Sequence, residues 1–343
     1  MWEEGDPPLS KRKAVPLHPR IKCVLRELRQ RYRMRRLLPQ LGRARAIVVG
    51  GGGLLSDDNL HFPQSLAVVA ESARRLNIPL YCLGCSVEGQ WSAKGADKIR
   101  KFLAACAAVA ARDHFTAGRV EAVRRSPVPV FGDFCLTEAQ LLEEGNWSHS
   151  RQALAINVRR IPARSDALQE RYEEVLVELA TRLIRSGAER LKTIRIFTTG
   201  TLHDVVPAQR VFARLGAMGV ELRLPRSLDE LTGVLRESAL VIASRLHGAI
   251  LGLAAGAPVV GFSSTPKMHN FFSTMGIGPY CFDVDASVQL MNLIGGADQA
   301  SIFAAQRHAL VHAPVWATRA QVRRALGSID GAPCALRLET RWT

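Results

Sequence analysis

Long apolar runs are scarce in this chain of 343 residues. The two longest, around 103–111 and 246–262, are broken by charged residues, glycine or proline before reaching the ~18–20 residues that a membrane span needs. No transmembrane helix is therefore expected. The N-terminus, "MWEEGDPPLSKRK", puts acids and prolines where a secretory signal would need an apolar core, so the chain is expected to stay in the cytoplasm. Cysteines are few and unpaired in spacing: Cys23, Cys82, Cys85, Cys106, Cys135, Cys281 and Cys334 form an odd, scattered set. That excludes a disulfide framework or a four-ligand zinc site and fits a reducing compartment. Cys82-Leu-Gly-Cys85 has redox spacing but no second pair, and reads as small apolar residues where a strand runs into a loop. The chain also lacks a dinucleotide fingerprint, a phosphate loop ending in Lys-Ser/Thr, and any zinc-finger or RNP signature. No His, Cys or acid cluster demands a metal, and no cofactor is expected.

The composition that is present, 47% hydrophobic and 22% charged, belongs to a globular protein long enough for two domains. The net charge of +15 is concentrated: residues 11–45 hold thirteen Lys and Arg against one acid, Glu27. Such an arm serves as a solvated helical face, as a peripheral contact with the anionic inner face of the cytoplasmic membrane, or as a nonspecific nucleic-acid patch. Without interleaved aromatics or a reader motif, specific nucleic-acid binding is not indicated.

Beyond the arm, β-rich runs alternate with helix-like ones. "AIVVGG" (46–51) and "IPLYCLG" (78–84) read as strands, "SLAVVAESARRLN" (65–77) and "KIRKFLAACAAVAARD" (98–113) as helices, and "VPVFGDF" (128–134) as a last strand. A polar stretch at 141–152 is the linker candidate. The pattern then restarts with strand 153–159, helix 167–187, strand 193–200, a helix near 207–218, strand "GVELRL", and helix 227–239 capped by Ser227. Alternation of this kind predicts an α/β fold of two Rossmann-like domains facing across a cleft. The expected divisions are a basic arm (1–45), an N-terminal domain (46–150), a C-terminal domain with the donor site (151–300) and a helical tail (301–343).

The most informative stretch is "VIASRLHGAILGLAAGAPVVGF" (241–262), where a strand stops at Ser244 and a helix follows. With Ser244 as N-cap, Arg245, Leu246 and His247 would fall in the first helical turn, among free backbone N–H groups that favour an anion. Arg245 supplies a fork of donors matching carboxylate or phosphate, and His247 can move a proton. Gly51 and Gly52, within the four glycines of "VVGGGGLLSDDN", would let backbone approach a ligand, and Asp57 just beyond is a candidate base. "AARDHFT" places Arg112 and Asp113 after an apolar run, and Arg159 ends "AINVR". Basic side chains at several strand ends fit an acidic ligand.

These segments resemble the polysaccharide pyruvyltransferase family: "SRLHGAILGLAAGAPVVGF", then "TPKMHNFFSTMGI", with the Gly run, "YCLGCSVEG", "AARDHFT" and "AINVR" in matching order from about residue 46 to 280. The resemblance implies a glycosyltransferase B-like architecture. About 45 residues precede the first strand, so the N-terminal domain is read as shortened. It further implies transfer of the enolpyruvyl group of phosphoenolpyruvate onto hydroxyls of a polysaccharide or its lipid-linked precursor, forming a pyruvate ketal. Arg245, Arg112 and Arg159 would hold the donor, His247 would protonate it, and Asp113 or Asp57 would accept the hydroxyl proton. Lys267 would touch phosphate or cap a loop, and Ser264 stands where the family has tyrosine. A nucleotide-sugar glycosyltransferase and an idle homologue acting as a binding protein remain as alternatives.

Overall fold

The computed structural model describes residues 32, 39, 41–57, 61–136, 151–161, 166–185, 193–199, 202–216, 219–263, 265–296 and 299–327. Most of the basic arm, most of the linker candidate and Ser264 lie outside the described residues. One sheet has the order β1-β2-β3, from β1 (Ile47–Gly50), β2 (Leu80–Cys85) and β3 (Cys106–Ala111), with α1 (His61–Leu76) and α2 (Ala93–Ala105) between them in sequence. Ile47 N–H donates to Pro79 O near the start of β1, and Ser86 N–H to Gly52 O beyond its end, so β1 and β2 run the same way. β2 is buried at every position, as a strand covered on both faces should be.

Two expectations change here. The run 98–113 is not one helix: α2 ends at Ala105, and Cys106 turns into β3 with its N–H on Leu103 O. A continuous run of small apolar residues suits a buried strand as well as a helix, so burial rather than periodicity decides. "VPVFGDF" makes only an isolated parallel bridge, Ala111 with Val130.

By contact density the chain divides into two compact units. One comprises Leu55–Tyr81, Gly89–Ala107 and the described residues up to Val48; the other comprises Val49–Leu54, Cys82–Glu88 and the described residues from Ala108 on. In the first, α1 packs on α2.

The second unit is built on a six-stranded sheet of order β6-β5-β4-β7-β8-β9, all pairs parallel. Its strands are β4 (Ala153–Asn157), β5 (Thr193–Phe197), β6 (Val220–Arg223), β7 (Ser238–Ala243), β8 (Val259–Phe262) and β9 (Cys281–Phe282). Its helices are α3 (His114–Arg124), α4 (Asp166–Arg185), α5 (Leu202–Leu215), α6 (Leu228–Arg236), α7 (Leu246–Ala254), α8 (Pro266–Thr274), α9 (Ser287–Gly296), α10 (Gln299–Val311) and α11 (Val315–Gly327). Two cores line the sheet, one with α4, α5 and α9, the other with α6, α7 and α8. Ser227 caps α6 as expected, accepting from Glu230 N–H at 3.2 Å. From β4 the chain winds outward through β5 and β6, then crosses to β7 on the other side of β4. Strand order reverses between β4 and β7, and the crevice past the carboxyl ends of such strands is where open α/β sheets bind ligands.

Candidate active site

Because the strands are parallel, residues after β4, β5, β7 and β8 emerge on one edge of the sheet. At the switch point β4 delivers Asn157 and Arg159, and β7 delivers Ser244 and Arg245. Asn157 joins the two: its Nδ2 donates to Phe197 O at 3.3 Å, and its Oδ1 accepts the Arg245 N–H at 2.9 Å. Buried Tyr172, from α4, donates to Ser244 Oγ at 2.7 Å. Burial pushes its phenol up to about 12, so it remains a neutral donor.

These contacts correct the expected capping. Ser244 is not the N-cap of α7, since its hydroxyl is taken by Tyr172; Arg245 holds that position without a side-chain cap bond, and the helix begins at Leu246. The first i to i−4 bond of α7 is Ala249 N–H to Arg245 O at 3.1 Å, so the Leu246, His247 and Gly248 N–H groups precede the helical ladder. Leu246 itself is buried in the core and offers backbone rather than side chain.

Arg245 is also less free than its sequence context suggested. Its guanidinium grips Asp204, a fully buried acid in the first turn of α5, through Nε to Oδ2 at 2.8 Å and Nη2 to Oδ1 at 2.6 Å. Asp204 Oδ1 additionally accepts the Arg160 N–H at 2.8 Å. Two of the five donors of Arg245 are thereby occupied by a compensating charge, and the others make no hydrogen bond among the described residues.

Arg159 is less well compensated than Arg245. It is only 5% exposed. Its side chain reaches Arg160 O at 3.3 Å and Ser244 O at 3.5 Å, both carbonyls and both long. Burial, and then the like charge of Arg245, hold its pKa below the usual arginine value. A guanidinium in that state gains most from an added anion.

Arg112 has no hydrogen-bond partner at Nε or Nη2 among the described residues. It is buried between two carboxylates, with Nε 3.8 Å from Asp113 Oδ2 and Nη1 3.7 Å from Asp133 Oδ2. Asp113 caps α3, its Oδ1 accepting the Thr116 N–H at 2.8 Å, which leaves it poorly suited to act as a base. Asp57 is half engaged: its Oδ2 accepts the Ser92 N–H at 2.7 Å at the start of α2, while its buried Oδ1 has no partner among the described residues. Lys267, in the first turn of α8, reaches Glu88 at 3.3 Å, so its charge too is shared. Gly51 and Gly52 adopt φ of +78° and +59°, the left-handed region that glycine enters without strain, and a Cβ there would meet nothing within 4 Å. Gly52 O accepts both N–H and hydroxyl of Ser86.

His247 is exposed, in the first turn of α7. Its imidazole, the Asp133 carboxylate and the Cys135 thiol lie within 4.8 Å of one another. Arg319 of α11 secures the loop carrying the last two: Nε donates to Phe131 O at 2.7 Å, and Nη1 and Nη2 donate to Leu136 O and Asp133 O. The guanidinium also lies over the rings of Phe131 and Trp316. Burial lowers its pKa to about 10, which keeps it charged at neutral pH. A cavity of about 590 Å³ opens beside His247, with Thr198, Thr199, Leu224, Arg226 and Leu251 in its wall.

Sequence reasoning missed Asp204, Asn157, Tyr172, Asp133 and Arg319. A polar Asn at the end of the buried run "ALAIN" and the Gly-Asp of "VFGDF" were available signals. Asp204 and Arg319 sit in ordinary amphipathic patterns and carried none.

The family model described as polysaccharide pyruvyl transferase matches residues 9–266. Among curated proteins, none matches the chain. Several solved structures share its fold. UDP-GlcNAc 2-epimerase from Neisseria meningitidis bound to UDP-GlcNAc aligns at 11% identity over 88% of this chain and 81% of that one, TM-score 0.56. MnaA of S. aureus with UDP aligns at 11% over 92% and 83%, TM-score 0.57. Anabaena Alr3699/HepE with UDP and glucose aligns at 12% over 85% and 80%, TM-score 0.56. The fold is thus α/β with parallel sheets, of the glycosyltransferase B type.

Proposed function

The chain belongs to the polysaccharide pyruvyl transferase family, and from that premise we propose that it moves the enolpyruvyl group of phosphoenolpyruvate onto two hydroxyls of a saccharide acceptor. The observation that carries this reading is Arg159, a buried guanidinium at the switch point whose side chain has no carboxylate hydrogen-bond partner among the described residues. Phosphoenolpyruvate is a small, highly charged anion. Arg159, the spare donors of Arg245 and the first-turn N–H groups of α7 would bind its carboxylate and phosphate. The acceptor would enter from the cavity beside His247.

Protonated His247 would give its proton to the methylene carbon C3, leaving an oxocarbenium-like C2. A sugar hydroxyl oxygen bonds to C2 and passes its proton to the imidazole. The C2–O bond to phosphate breaks, its electron pair leaving on phosphate, which takes that proton. The second hydroxyl then closes the ketal on C2 and returns a proton to His247. One residue suffices as acid and base, in keeping with Asp113 being engaged as the cap of α3. The acceptor would be a polysaccharide or its lipid-linked precursor, with the basic arm resting on anionic membrane. Among the described residues no helix is long and apolar enough to cross a membrane.

His247→Gln should lower phosphate release by about 10²–10⁴-fold while phosphoenolpyruvate still raises the thermal midpoint. Wild-type turnover in that variant refutes the role of His247. A midpoint raised by UDP-sugars and not by phosphoenolpyruvate would favour a nucleotide-sugar transferase instead. Salt-sensitive sedimentation with anionic vesicles tests the arm.

A further inference from the structure

The loop after the Ala111–Val130 bridge has a feature that enolpyruvyl transfer does not use. Asp133 and Cys135, two residues apart, present a carboxylate and a thiol to the imidazole of His247, all three ligand atoms within 4.8 Å of one another. The loop is no loose tip. Arg319 ties three of its carbonyls, and Cys135 N–H donates to Asp133 Oδ1 at 3.0 Å, fixing the carboxylate against the thiol-bearing residue. Arg112 stands 3.7 Å from the other carboxylate oxygen, where it orients the group from behind. Cys135 and His247 are exposed, which leaves an entry path.

We propose that Asp133, Cys135 and His247 form a three-ligand site for a borderline divalent cation of the zinc class. One sulfur, one imidazole nitrogen and one carboxylate oxygen are a donor set for zinc or cobalt(II) and a poor one for magnesium or calcium, which require oxygen ligands. On binding, the metal displaces the thiol proton to solvent and forms bonds to sulfur, nitrogen and oxygen; no redox partner is involved. Three protein ligands leave a fourth position for water or a small anion. The consequence rests on the reading of His247 as proton donor: a metal on its nitrogen removes that nitrogen from the reaction, so metal and enolpyruvyl transfer exclude each other.

Cobalt(II) titrated into the full chain, stripped with chelator beforehand, reads the site without any activity assay. Wild type should develop a thiolate-to-cobalt charge-transfer band in the near ultraviolet. Cys135→Ser should lose that band, and Cys281→Ser should keep it. Asp133→Asn should weaken cobalt binding by at least about 10-fold, with circular dichroism confirming that each variant is folded. No band in wild type, or a band unchanged in Cys135→Ser, overturns the proposal. Zinc inhibition of phosphate release then tests the consequence. A chain that shows the band but never releases phosphate supports the metal site while removing the transfer reading.

Discussion

Replacing Arg159 by methionine separates a binding arginine from a structural one. The side chain is 5% exposed and makes two hydrogen bonds, of 3.3 and 3.5 Å, to carbonyls. At those lengths they contribute at most about 1 kcal/mol each. Against this stands the desolvation of a buried cation beside a like charge, which costs several kcal/mol and disappears in Arg159→Met. Methionine fills a similar volume without strain. The ligand-free variant should therefore unfold within about 1 kcal/mol of wild type, roughly 2–4 °C in midpoint. A guanidinium needed for folding would instead cost about 3–5 kcal/mol. The ligand arm moves the other way. At phosphoenolpyruvate 100-fold above its dissociation constant the wild type gains about 2.7 kcal/mol. Loss of one charged contact worth about 1.5–3 kcal/mol weakens binding by roughly 10- to 150-fold. At the loss of about 100-fold, the stabilisation falls to below about 0.5 kcal/mol at the same concentration. Differential scanning fluorimetry with and without phosphoenolpyruvate reads both numbers. A ligand-free midpoint far below wild type, or a phosphoenolpyruvate shift that survives, refutes the reasoning.

Three further outcomes follow from the same geometry. Gly248→Ala would place a Cβ 2.8 Å from Asn157 Oδ1, the atom that holds the Arg245 N–H. It should cost about 1–3 kcal/mol by overpacking and weaken phosphoenolpyruvate binding; a neutral substitution in urea titration would show that Asn157 yields freely. Arg319→Met removes three hydrogen bonds to carbonyls and the stacking on Trp316 and Phe131, and should lower stability by about 2–4 kcal/mol. Amide exchange over 131–136 should rise in that variant, and unchanged exchange there would discount the clamp. Burial first, then Asp283, pushes the Cys281 thiol from 9.0 up to about 12. The folded state keeps this proton where the unfolded chain has lost it, so Cys281 subtracts stability as pH rises from 9.0 towards 12. Its alkylation should climb about tenfold per pH unit through that window, because only the thiolate reacts; a plateau near pH 9 by peptide mass spectrometry would contradict this.

Much of the scaffold is written locally. Strands such as "ALAIN" and "SALVIA" are short and apolar but for one polar residue at an end, which suits them to burial, and Ser227 before "LDEL" is a helix cap readable from sequence. The change from strand to helix at the Arg-Leu-His seam after β7 was legible too, within a residue of its place. The 98–113 run was not legible, since small apolar residues carry no period that separates helix from strand until a sheet is there to receive them. Charge partnership was equally hidden. Only the packing of α5 under the switch point brings Asp204 to Arg245, and only the crossing of the chain brings Asp133 to Arg112 and His247. Sequence lists the ionisable groups, but an arginine's role depends on whether an acid reaches it in a space closed to water. That distance is set by elements far apart in the chain, and here it leaves Arg159 less compensated than Arg245.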